Sequence, residues 1–188
     1  MSTGNRIAGL ESLLRGSSGR GPAPVEKWNP PYCGDIGLRI RRDGVWFYQG
    51  SPIGRLPLVK LFAGVLRKDA DGKHYLVTPA EKVDVTVEDA PFLAVEMEVQ
   101  GSGEDQRLVF RTNVDDIVIA GPSHPLRFVT EAGSDGLKPY LLVRGRLEAL
   151  VTRALYYDLV ELADDEPARG FGIWSDGAFF PLQGERER

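Results

Sequence analysis

Apolar positions recur every second residue through most of this chain and every third or fourth residue in three places. Near the start, Ile7, Leu10, Leu13 and Leu14 share one helical face. A glycine-, serine- and proline-rich tether follows over Gly16–Pro24, so this first helix reads as an appended arm. Period two sets in at Asp35. Ile36, Leu38 and Ile40 alternate with Gly37, Arg39 and Arg41, the pattern of a strand with one buried face. Asp43-Gly44 supplies a two-residue hairpin turn into a partner strand, Val45–Tyr48. Beyond Pro52 the period lengthens. Leu58, Leu61, Phe62, Val65 and Leu66 form the buried stripe of a helix that starts near Arg55, with Pro57 tolerated in its first turn. Asp71-Gly72 closes the loop after it, and His74–Thr78 reads as a strand.

From Lys82 to Val143 the chain reads as strands separated by turn signals, which predicts an antiparallel meander. A further helix is predicted from Arg146, striped by Leu147, Leu150, Val151, Ala154, Leu155 and Leu159. It ends in a polar stretch broken by Pro167. Phe171–Leu182 is a last hairpin around Asp176-Gly177, and Gln183–Arg188 a solvated tail. His74 and His124 read as surface histidines.

Two stretches look alike. Gly54-Arg55-Leu56 matches Gly145-Arg146-Leu147, and Leu58-Val59 matches Leu150-Val151, each pairing an aromatic strand with an amphipathic helix. The expected class is therefore α+β: two similar antiparallel-sheet-plus-helix units related by duplication. The expected division is an arm and tether at 1–24, a first unit at 25–86, a second at 87–183 and a tail at 184–188. A cleft between such units is a favoured place for a ligand. Arg55 and Arg146 are each expected where a turn meets a helix N-terminus, a setting suited to an anion.

Composition narrows the chemistry. Among 188 residues, Lys and Arg total 23 and Asp and Glu 27, for a net charge of −4. Duplex nucleic acid rewards a concentrated positive field, so it is not an expected partner. No apolar run reaches the roughly 20 residues of a membrane span. The start lacks the apolar core and cleavage site of a secretory signal, and Cys33 is the single cysteine. A reducing compartment, the cytoplasm, is expected. No metal-ligand spacing, phosphate loop or dinucleotide fingerprint is present, so no cofactor is expected. Asp115-Asp116 and Asp164-Asp165-Glu166 read as solvated acidic loops. Cys33 or Asp35 could serve a small enzyme, but neither sits in a catalytic signature.

Aromatic and basic residues cluster instead. Trp28, Tyr32, Trp46 and Tyr48 lie near Arg39, Arg41, Arg42 and Arg55, and rings stack on bases while guanidinium groups pair with phosphates. Trp46 and Tyr48 are expected across the hairpin from the arginines. The same residues fit a plainer role, as arginine stems covering a hairpin. Arg111, Arg127 and Arg144, which punctuate apolar strands, equally fit solvent-facing positions.

The stretches "WNPPYCGDIGLRIRRDGVWFYQGSPIGR", "LVKLFAGVLRKDADGKHYLVTPAEKV", "VEDAPFL" and "GFGIWSDGAFFPL" resemble the bacterial domain-of-unknown-function family 1285. The resemblance implies a duplicated core, a second half similar to a pleckstrin-homology-like fold, and a nucleotide-like ligand between the halves with a signal-transduction role. It carries no residue roles. The functional expectation is a non-enzymatic cytoplasmic sensor for a small anionic or nucleotide-like ligand, with Trp28, Tyr32, Arg55, Arg127 and Arg146 as ligand-binding groups. The alternatives are the enzyme using Cys33 or Asp35, or an interaction module whose N-terminal arm docks a protein partner or a homodimer mate.

Overall fold

The computed structural model describes residues 23–185. The expected N-terminal helix and all but the last two residues of the expected tether lie outside the described residues, as do the last three residues of the tail. The described chain divides into two compact units, one up to Asp89 and one from Ala90.

In the first unit, β1 (Tyr32–Ile40), β2 (Trp46–Tyr48) and β3 (Ser51–Pro52) make one antiparallel meander. After helix α1 (Leu56–Ala63), β4 (Leu66–Lys68), β5 (His74–Val77) and β6 (Lys82–Val87) make another. The first and last strands then pair with each other in parallel, giving the order β3-β2-β1-β6-β5-β4. The second unit repeats the strand plan but not the helix position, since no helix separates its third and fourth strands. Its strands are β7 (Phe92–Gln100), β8 (Arg107–Thr112), β9 (Ile117–Ile119), β10 (Leu126–Thr130), β11 (Leu137–Arg144) and β12 (Leu147–Val151). Read from its far edge, that sheet runs β9-β8-β7-β12-β11-β10, and β7 pairs with β12 in parallel. Helix α2 (Arg153–Glu161) follows, and then a small antiparallel sheet of β13 (Asp164–Glu166), β14 (Gly170–Ser175) and β15 (Ala178–Pro181).

The duplication is thus real, but its register differs from the one the sequence suggested. β1 begins at Tyr32 and β7 at Phe92, and both are nine residues long. Gly54-Arg55-Leu56 leads into α1, whereas Gly145-Arg146 is the tight turn between β11 and β12, with Gly145 at φ 53°. Leu147–Val151 is a strand. Leu147, Ala149 and Val151 are buried while Glu148 and Leu150 are half-buried. The spacing of Leu147, Leu150 and Val151 fits either period, and the parallel partner β7 selects the extended form. The sheets are mixed rather than antiparallel for the same reason.

Shorter-range differences have local causes. The β1–β2 connection is a five-residue loop, closed by Arg41 N–H on the Val45 carbonyl and Gly44 N–H on the Arg41 carbonyl, not a two-residue turn. Asp176-Gly177 is a two-residue turn with φ of 48° and 76°. Helix α1 stops at Ala63, and Leu66 joins β4. Asp164–Glu166 is a strand rather than a loop. The tail is not wholly solvated, since Glu185 forms a bridge with Val129.

The apolar face of each sheet builds a core. In the first unit Leu38, Ile40, Trp46, Phe62 and Leu76 are at most 1% exposed, and the Trp46 and Phe62 rings lie 6.3 Å apart. In the second, Phe92, Ala94, Leu108, Phe110, Leu141 and Ala149 are fully buried. The small sheet is tied to β8 by polar contacts. Buried Ser175 accepts the Leu108 N–H at 2.9 Å and donates to the Ala120 carbonyl at 2.7 Å. Gln106 donates to the Trp174 carbonyl.

Gly172 in β14 leaves no room for a side chain, since a Cβ there would lie 2.5 Å from Phe179 Cζ and from the Phe180 carbonyl oxygen. Gly172→Ala is expected to cost about 1–3 kcal/mol or more through overpacking. Gly54→Ala, with nothing within 4 Å, is expected to stay within about 0.5 kcal/mol of the parent. Urea unfolding of both variants checks the pair.

Candidate functional site

The sequence-nominated residues fall in different settings. Arg67 is the reason Trp28 has a fixed place. This buried guanidinium donates from Nη1 to the carbonyls of Val25 and Trp28, both at 2.8 Å, and holds the Asp69 carboxylate at 2.5 and 3.2 Å. Lys82 Nζ also reaches Asp69 at 3.2 Å and sits 4.4 Å over the Tyr75 ring. Tyr32 is exposed, meets Tyr75 edge-on at 6.4 Å, and donates its hydroxyl to Asp84 at 2.7 Å. Tyr75 donates to Asp71 at 2.7 Å. That bond and burial push its pKa up to about 12. The Asp84 hydrogen bond likewise raises that of Tyr32. Trp28 and Tyr32 are therefore brought into one neighbourhood, but three carboxylates share it, and carboxylates repel an anion.

Arg55 occupies the N-cap position at the exposed start of α1, without a side-chain capping bond. Arg146 is exposed on its hairpin turn and not at a helix end. Arg127 is half-buried, bound bidentately by Glu148 at 2.5 and 2.7 Å and stacked 4.5 Å over the Tyr140 ring. The neighbouring strand arginines are engaged in the same way. Arg144 meets Asp116 at 2.5 Å, and Arg111 meets Glu96 and Asp115. Trp46 is core, so the ring under Arg41 is that of Phe47, at 5.3 Å. Cys33 is exposed with Sγ 3.5 Å from the Pro31 carbonyl, and Asp35 accepts the Gly37 N–H at 2.7 Å. His124 is half-buried, with Nδ1 3.1 Å from the Leu142 carbonyl. Among the described residues, no group of three or more His, Cys, Asp or Glu is placed to hold a metal ion.

A different cavity, of about 510 Å³, lies wholly within the second unit. Leu137 and Pro139 from β11, with Leu150 and Val151 from β12, give it an apolar lining. Glu131, Lys138, Arg153, Tyr156 and Tyr157 bring the polar and aromatic groups. Strand β12 ends where Thr152, extended at φ −61° and ψ 155°, caps α2, and this places Arg153 and the two tyrosines in the first turns over the strand ends. Leu159 anchors the helix in the core. Arg153 Nε donates to the Tyr157 hydroxyl at 3.1 Å, and its guanidinium lies 5.9 Å from that ring. The tyrosine rings are 5.9 Å apart and tilted by 51°. Lys138 Nζ is 4.0 Å from Glu131. The Tyr157 hydrogen bond raises the Arg153 pKa further, so the group is a permanent cation. Unlike Arg111, Arg127 and Arg144, it bonds a neutral phenol.

None of the five nominated residues lines this cavity. The signal that could have found it is "RALYYD". Adjacent tyrosines on a helix are about 100° apart and cannot both face the core. Tyr157, four residues from Arg153, is the one left outside at 53% exposure.

Residues 23–90 match the family model described as "Domain of unknown function (DUF1285), N-terminal domain". Residues 91–182 match "Protein of unknown function (DUF1285), C-terminal domain". Among solved structures, a DUF1285 family protein from Silicibacter pomeroyi DSS-3 is 47% identical with a TM-score of 0.85, over 93% of this chain and 94% of that one. Another from Shewanella baltica OS155 is 28% identical with a TM-score of 0.53, over 69% of this chain and 94% of that one. No curated protein matches the chain.

Burial raises the Asp69 pKa, but the hydrogen bonds from Arg67 and Lys82 outweigh it, and the net direction is down. The carboxylate therefore stabilises the fold above its unfolded-state pKa, and that contribution is lost as pH falls through the folded one. Asp69→Asn is expected to be less stable than the parent at pH 7. The gap should close as the pH drops below about 4, the ordinary carboxylate range, in urea titrations across pH.

Proposed function

The chain belongs to the DUF1285 family, and from that premise we propose that it is a non-enzymatic, cytoplasmic binding protein for a small anionic, nucleotide-like ligand, with a role in signal transduction. The observation that carries this reading is Arg153 at the second-unit cavity, a permanent cation bonded to a phenol beside two tyrosine rings. An anionic group pairs with Arg153 and Lys138. A planar group stacks on Tyr156 or Tyr157, and Glu131 accepts hydrogen bonds from ligand donors. About 510 Å³ lies in the range of small-molecule sites. The lone Cys33 supports a reducing compartment. Among the described residues no helix is long and apolar enough to cross a membrane. A pleckstrin-homology-like second unit belongs to the same proposal, supported by a six-stranded sheet followed in the chain by α2.

Calorimetry with nucleoside mono- and diphosphates, against inorganic phosphate, tests it. A nucleotide at 100 times its Kd should add about 2.7 kcal/mol of stability. Tyr157→Ala and Tyr156→Ala should each lose up to about 1–3 kcal/mol of binding where the ring stacks on the ligand. Arg153→Ala should lose tenfold or more, with Arg55→Ala and Arg146→Ala unchanged. Loss in the latter pair with Arg153→Ala unaffected would move the ligand to the residues nominated from sequence. No nucleotide response in any variant would end the proposal.

A further inference from the structure

The C-terminal segment returns to the second unit at a place that matters for the cavity. Glu185 donates its N–H to the Phe128 carbonyl at 2.8 Å and accepts the Thr130 N–H at 3.2 Å. The tail thereby covers the outer edge of β10, the terminal strand of its sheet. Gly184 is seated so closely that a Cβ there would run into Thr130 Oγ1 and lie 2.9 Å from Leu137 Cδ2. Glu131, the residue after Thr130, and Leu137 both line the cavity. Between them the β10–β11 loop is held by Glu131 N–H on the Gly136 carbonyl at 2.8 Å and Ser134 N–H on the Glu131 carbonyl at 3.2 Å. Lys138, also at the cavity, pairs with Glu131 from the far side of that loop.

We propose that Gln183–Glu185 is a strap that orders the cavity wall formed by the end of β10 and the start of β11, so that tail docking and ligand occupancy reinforce each other. This rests on the reading of the cavity as the ligand site. The strap contributes no group to the ligand. It acts by fixing Glu131, Leu137 and Lys138, which otherwise rely on the last β10–β11 pairs, Val129 with Lys138 and Thr130 with Leu137, and on a turn held by short-range bonds among Glu131, Ser134 and Gly136. Linkage makes the effect reciprocal: whatever factor the docked tail adds to ligand affinity, the ligand adds to tail docking.

Residue-resolved amide exchange on the full chain, on Gly184→Ala and on a chain ending at Leu182 tests this, with AMP as the nucleotide probe. Protection at Ala94 and Val151 on the central strands checks that each variant is folded. Without ligand, both variants should exchange tenfold or more faster at Glu131 and Ser134, beyond the direct loss at Thr130. AMP affinity should fall about fivefold or more in both, and AMP should slow Thr130 exchange in the parent by the same factor. Faster exchange confined to Thr130, or a loosened loop with unchanged AMP affinity, would overturn the strap. If the parent binds no AMP, the ligand reading fails for that probe, and exchange at Glu131 and Ser134 alone decides whether the tail orders the wall.

Discussion

Each six-stranded unit is closed by the pairing of its first strand with its last. Parallel neighbours cannot be joined by a tight turn, so β1 must wait for β6, and β7 for β12, while two meanders form in between. Ile40 opposite Val87, and Ala149 opposite Phe92, are the residues that meet at these seams. Once a seam forms, the two meanders become arms on either side of it. Sheet order, buried face and the position of each outer loop follow. β1 makes this fit through two bulges, at which Gly34 and Gly37 take φ of 86° and 84°. In the second unit the arm β10-β11-β12 ends in the loop and strand ends that line the cavity. The C-terminal strap is bound to the outermost strand of that same arm.

Much of the fold was legible in local pattern. Ile36, Leu38 and Ile40 announced a half-buried strand, Pro57 marked the start of α1, and Asp176-Gly177 gave a true hairpin. The seams were not legible, because parallel pairing leaves no turn motif between its partners. Without them, the Leu147–Val151 stripe reads as helix, and the repeat is aligned on Gly-Arg-Leu triplets that perform different jobs. The correct alignment matches β1 with β7, whose side chains share little beyond length.

The site was less legible, for an electrostatic reason. Arginines interleaved with aromatics suggested anion binding, yet the strand arginines pair with carboxylates that are distant in sequence. Arg111 meets Glu96 across the β7–β8 ladder, Arg127 reaches past β11 to Glu148 on β12, and Arg144 meets Asp116 in the loop before β9, so each contact is made only by the tertiary fold. A net charge of −4 leaves carboxylates in excess, so pairing is the default for a cation in this chain. Arg153 stands apart because its helical spacing gives it Tyr157 as partner, and that relation could be read from residue numbers alone.

The parallel seams are best tested by ranking amide exchange over the whole chain. The slowest exchange is predicted for Leu38–Ile40 with Val85–Val87, and for Phe92–Ala94 with Ala149–Val151. The outer strands β3, β4 and β9 should exchange faster. Outer strands more protected than the seams, in either unit, would contradict the account.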